Sequence, residues 1–130
     1  MRSSDSIPAE LRGWWRIVET DLWAHEGLDV LGPALLSLTG DADRLRMHCL
    51  LAYVHCTPTK TGVSFRWEGA WEYDPMAGSG RLVLTKTGSA RGSLRIKDGD
   101  SSAFVAVRAD DPVEPIPDPP SYRDKWRRRW

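Results

Sequence analysis

The run Trp67-Glu68-Gly69-Ala70-Trp71-Glu72-Tyr73-Asp74 is the densest polar and aromatic cluster in the chain. Successive side chains of a strand point to opposite faces. One strand through this run therefore sets Glu68, Glu72 and Asp74 against Trp67, Trp71 and Tyr73. Three carboxylates on one face suit a cation or acid–base chemistry, and the same pattern describes a solvated outer face with tryptophans packed inward. Arg66, Arg81, Arg95 and Arg108 recur on successive apolar runs. A barrel mouth that collected several of them would suit an anionic ligand, because guanidinium matches carboxylate and phosphate geometry; alternating exposed charges explain the same spacing. The candidate ligand-binding set is Glu68, Trp71, Glu72, Asp74, Arg81, Asp100 and Arg108.

His48-Cys49 and His55-Cys56 resemble a repeated metal half-site. Neighbours on a strand face opposite ways, so no metal is assigned to them. If residues 44–56 form one strand, the two thiols stand roughly 23 Å apart, beyond the roughly 7 Å between Cα atoms that a disulfide allows. They are expected to be reduced and inert. His25, His48 and His55 sit in no nucleophile–base–orienter motif. Gly78-Ser79-Gly80 lacks the helix that a phosphate loop requires. No catalytic residue and no cofactor is assigned.

The last nine residues hold Arg123, Lys125, Arg127, Arg128 and Arg129 against one acid, Asp124. In a helix Tyr122, Trp126 and Trp130 would form an aromatic stripe flanked by arginine. The interaction set of this tail is Tyr122, Trp126, Arg127, Arg128, Arg129 and Trp130, for an anionic membrane, nucleic acid or a partner's groove.

The elements that must position these groups read as strands. Apolar and polar residues alternate over residues 11–23 with room for a bulge, along Leu45, Met47, Cys49, Leu51 and Tyr53, and along Val63, Phe65 and Trp67, while residues 34–39 are a short apolar run. Turn clusters lie at residues 40–43, 57–62, 74–80, 87–88 and 98–100, the last followed by Phe104, Ala106 and Arg108 opposite Val105 and Val107. Seven or eight short strands joined hairpin to hairpin favour closure, because closure removes sheet edges. The expected fold is all-β, a small antiparallel up-and-down barrel over residues 12–109. Disordered residues are expected at 1–11, a proline-rich acidic linker at 110–121 and the basic tail at 122–130. Trp15, Ile17, Leu36, Leu38, Met47, Leu51, Phe65, Trp67, Leu84, Leu94, Ile96 and Phe104 could fill the interior outright.

Gly13-x-Trp15 at the head of the first strand resembles the opening of calycin barrels, the lipocalins and avidins. That resemblance implies Arg108 packed over Trp15. Gly13-x-Trp15-x-Ile17, Trp23, Gly32-Pro33, Trp67-Glu68-Gly69, Glu72, Asp74-Pro75, Gly80-Arg81 and Gly99-Asp100-x-Ser102-x-Phe104-x-Ala106 resemble a family of small bacterial proteins with no established activity. The chain departs from that pattern at Ser101, where relatives carry an acid. It also departs at Met76-Ala77-Gly78-Ser79, read as lengthening the turn before Gly80.

Eighteen basic residues balance eighteen acidic ones, so total charge selects no partner. No run reaches the roughly 18 apolar residues of a spanning helix, and a cytoplasmic location is expected. The expected function is a non-enzymatic binding module for a small ligand or a protein partner. The alternatives are an enzyme using Glu68, Glu72 and Asp74, or an accessory protein whose tail contacts nucleic acid or membrane.

Overall fold

A computed structural model of the chain describes residues 7–23, 27–110, 112 and 116–120. Eight antiparallel strands close into one barrel: β1 Gly13–Thr20, β2 Leu35–Leu38, β3 Arg44–Met47, β4 Leu50–Pro58, β5 Gly62–Trp71, β6 Asp74–Leu84, β7 Ala90–Ile96 and β8 Ser101–Ala109. Each strand pairs with the next, and β8 returns to β1 with Trp15 opposite Arg108. A bulge between Ile17 and Glu19 brings Thr20 opposite Phe104.

The interior is packed. Trp15, Ile17, Leu36, Leu45, Met47, Leu50, Val54, Phe65, Trp67, Leu82, Leu94 and Phe104 are all buried in one apolar cluster. Of the expected core, Ile96 is half-buried and packs against the cluster, while Leu51 and Leu84 fall outside it: Leu51 is half-buried and Leu84 exposed at the end of β6. The displacement of Leu51 has a local cause. Residues 44–56 are not one strand, because His48 adopts φ +55° and starts a two-residue turn between β3 and β4. That turn resets the alternation, so Leu50, Ala52 and Val54 face inward. The two cysteines are free, as expected, although the turn removes the extended run on which that expectation rested.

Residues 74–80 are strand rather than turn. The chain reverses at Glu72-Tyr73, with Glu72 at φ +57°, and β6 runs through Gly78 and Gly80. Those glycines sit opposite Trp67 and Phe65. A Cβ on Gly78 would stand 2.6 Å from Trp67 Cζ2, and one on Gly80 2.4 Å from Phe65 Cζ. The aromatic rings occupy the space that side chains on β6 would fill, which is why a glycine-rich segment holds a strand here.

Both barrel ends are covered. At one, a 3-10 helix, Ala9–Leu11, carries buried Leu11, and Ile7 is buried beside it. Residues 7–11 are therefore ordered structure rather than a disordered lead; residues 1–6 lie outside the described part. Trp15 Nε1 donates to the Leu11 carbonyl at 2.9 Å. The Arg108 guanidinium stacks 4.1 Å over the Trp15 ring and donates to the carbonyls of Arg12 (2.5 Å) and Glu10 (2.6 Å). At the other end the β1–β2 connection is tied down by Ser102, whose buried hydroxyl accepts from the Asp21 and Leu22 amides.

The described end of the proline-rich stretch, residues 116–120, is a strap against the barrel rather than a free linker. Ile116 and Pro119 are buried, and Asp118 accepts from Arg44 Nε (3.1 Å) and Nη2 (2.7 Å). Arg44 in turn lies 4.3 Å over the Tyr53 ring.

Candidate functional site

The packed core directs attention to the outer wall. Residues directly opposite one another on paired strands share a face, so the register defines a lateral row: His55 on β4, Arg66 on β5, Ser79 on β6, Arg95 on β7 and Ser101 on β8. Lys97 follows two residues beyond Arg95, and Arg81 two beyond Ser79, on the same face. Ala77 and Ser79 are small, so the arginines of β5 and β7 flank a low floor. The result is a trough of about 760 Å3 lined by His55, Arg66, Glu68, Ser79, Arg95 and Lys97. A smaller one of about 480 Å3 continues it past Arg66 to Arg81.

The electrostatics are one-sided. Arg66, Arg81, Arg95 and Lys97 are exposed and form no ion pair with a described residue. The one acid in the lining, Glu68, sits 3.6 Å from His55 Nε2, both side chains about two-thirds in solvent. Serine stands opposite each arginine, Ser79 between Arg66 and Arg95 and Ser64 and Ser93 beside Arg81, so the cations share one face with no acid set directly between them. Arginine forks from two sides and the Ser79 hydroxyl between them could bind a phosphate or carboxylate through several charge-assisted bonds.

The structure brings together only part of the expected site. Glu68 and Arg81 line the two troughs. Glu72 lies in the β5–β6 turn and Asp74 at the first residue of β6, so the three carboxylates do not share a strand face. Asp100 lies in the β7–β8 turn. Trp71 faces inward at the capped end, where it stacks on His48 at 4.6 Å and on Trp23 at 5.9 Å. Arg108 does not join Arg66, Arg81 and Arg95, since it braces the opposite end over Trp15. Tyr122, Trp126, Arg127, Arg128, Arg129 and Trp130 lie outside the described residues, as does His25.

His48 Nδ1 is buried without a hydrogen-bond partner among the described residues, and its ring packs among tryptophans, which suits a cap better than a ligand-holding group. Cys56 faces the interior opposite Phe65, where burial and, less strongly, the charge of Asp43 push its thiol up to about 12. Among the described residues no group of three or more His, Cys, Asp or Glu is placed to hold a metal ion, and no helix is long and apolar enough to cross a membrane. His55, Ser79 and Lys97 were not among the expected ligand residues. Their signal was the shared alternation phase of β4, β6 and β7, which needs the true turn positions to be read. Compared with family models, curated proteins and solved structures, the chain finds no match.

Proposed function

We propose that this protein is a non-enzymatic binding module of calycin-like build that holds a phosphate- or carboxylate-bearing ligand on its outer wall. The observation that carries this reading is the set Arg66, Arg95 and Lys97, three cations without ion-pair partners among the described residues around the small-residue floor of one trough, with Arg81, likewise unpaired, in the smaller trough that continues it. The packed interior argues against a ligand inside the barrel. The Arg108 stack on Trp15 supports the calycin-like part of the reading, and the free thiols accord with a reducing, cytoplasmic setting.

The test is thermal unfolding with inorganic pyrophosphate against sodium chloride at equal ionic strength. A ligand at a hundred times its Kd stabilises the native state by about 2.7 kcal/mol, so a clear rise in Tm is expected. R66Q/R95Q removes the rise and leaves the barrel folded, because both side chains are exposed. Equal stabilisation by chloride, or an unchanged response in R66Q/R95Q, overturns the proposal.

A further inference from the structure

The arginines of the outer wall stand in a fixed pattern around one serine. Arg66 and Arg95 flank Ser79 on β5 and β7, two strand spacings apart, or roughly 10 Å. Arg81 is two residues along β6 from Ser79 and diagonal to both, about 7–8 Å from each. Hydroxyls fill the places between, with Ser64 and Ser93 opposite Arg81. A single carboxylate answers one guanidinium fork and leaves two unanswered, whereas two or three linked phosphates present oxygens to all three. The register therefore selects a compact polyphosphate.

At Ala77 the trough changes character. Ala77 is one side-chain repeat from Ser79 along β6, roughly 7 Å, and with Glu68 and Lys97 it also lines a second outer cavity of about 760 Å3. Tyr53, Met76, Ile96 and the strap residues Pro119 and Pro120 wall that cavity. Buried Ile116 and the Asp118 contact with Arg44 fix the strap in place, and Arg44 lies 4.3 Å over the Tyr53 ring. The groove thus has a cationic half and an aromatic, apolar half that meet at Lys97. Two acids, Glu68 and Asp98, border the second half; an ionised carboxylate only accepts hydrogen bonds.

We infer that this groove takes a nucleoside polyphosphate, with its phosphates over Ser79 among Arg66, Arg81 and Arg95 and its nucleoside against Tyr53 beside the strap. This rests on the anion-binding reading of the trough and adds the class of ligand. Lys97 stands at the junction, where the phosphate nearest the sugar falls. The acids decide between a nucleoside and an apolar diphosphate of the prenyl kind. Sugar hydroxyls and an exocyclic amine donate to Glu68 and Asp98, whereas a hydrocarbon chain would cover those carboxylates and offer them no donor.

The experiment is isothermal titration calorimetry in magnesium-free buffer with inorganic tripolyphosphate, ATP, GTP and geranyl diphosphate, using the full chain, R81Q/R95Q, Y53A and E68Q. ATP or GTP is expected to bind about tenfold more tightly than tripolyphosphate, and R81Q/R95Q weakens every ligand about tenfold or more. Y53A brings the nucleotide down to the affinity of tripolyphosphate and leaves tripolyphosphate binding as it was, which also reports a folded barrel. E68Q lies at an exposed position and decides the question if Y53A does not fold. Losing an acid beside the cations strengthens tripolyphosphate binding, yet the ratio of nucleotide to tripolyphosphate affinity falls about fivefold because the acceptor is weakened.

Nucleotides that bind no more tightly than tripolyphosphate overturn the inference, and so does an affinity ratio that E68Q leaves unchanged; in both cases the trough stands as an anion site. Geranyl diphosphate binding as tightly as the nucleotides overturns it in favour of an apolar diphosphate. If neither tripolyphosphate nor a nucleotide binds, the anion-binding reading of the trough falls with it.

Discussion

Gly78 joins the core to the trough, so replacing it with alanine tests both. Its inner side is filled by the Trp67 indole, and the new Cβ would stand 2.6 Å from Cζ2 and 1.9 Å from the Arg95 carbonyl oxygen. Ordinary contact is 3.4–4 Å. The indole must therefore retreat by about 1 Å into a close-packed interior, and the β6–β7 pairing must open as well. Overpacking of this kind costs about 1–3 kcal/mol, and the upper end applies because one obstacle is backbone. With a urea m-value of roughly 2 kcal/mol/M, a 3 kcal/mol loss moves the unfolding midpoint down by about 1.5 M.

Urea denaturation followed by far-UV circular dichroism measures the loss. W67L supplies the control, because it removes the ring that Gly78 accommodates. In a double-mutant cycle G78A and W67L should couple by about 1 kcal/mol or more, the pair being less damaging than the sum. Arg95 supplies both the obstructing carbonyl and a trough guanidinium, so G78A should also weaken pyrophosphate binding. A stability change within about 0.5 kcal/mol, or strict additivity with W67L, would refute the claim that the glycine exists to seat the indole.

Other expectations follow from individual contacts. R108K keeps the charge but loses the planar stack on Trp15 and the fork to the Glu10 and Arg12 carbonyls. It should destabilise by about 1–2 kcal/mol in urea, and a wild-type midpoint would show that the brace is idle. E72G should stabilise by about 0.5 kcal/mol, since a left-handed residue other than glycine is strained, and should leave pyrophosphate binding unchanged. Weakened binding in E72G would return Glu72 to the ligand site. For Cys56, a thiol pushed up to about 12 is almost wholly protonated at pH 8. In a C49S background iodoacetamide should therefore modify it about a thousandfold more slowly than an ordinary thiol. The proton is bound more tightly in the folded state, so Cys56 contributes stability below the ordinary thiol pKa of about 8.5, and that contribution fades from there up to about pH 12. C56A should flatten this alkaline decline in the urea midpoint.

How much was legible in the sequence differs from strand to strand. Val63, Phe65 and Trp67 announce β5 by themselves, because a half-buried strand must alternate and nothing in that run interrupts it. The same holds for Phe104 and Ala106 on β8. Where the code was misread, at residues 48–49 and 72–80, the deciding facts are distant. His48 and Glu72 occupy left-handed turn positions that favour glycine, asparagine or aspartate, so their types give no turn signal. Gly78 and Gly80 give a false one, because their role is to leave room for rings that arrive from β5.

The candidate site divides along the same line. Sequence alone determined an all-β chain, its inward aromatics, and the presence of arginines at strand phase, since alternation and residue chemistry are local properties. Which arginines meet was decided only by closure of the barrel. Register and turn position place Arg66, Arg81 and Arg95 on adjacent strands of one outer face and turn Arg108 to the end over Trp15. The strap's anchor on Arg44 is likewise a contact between residues 74 positions apart, a distance that no local pattern encodes.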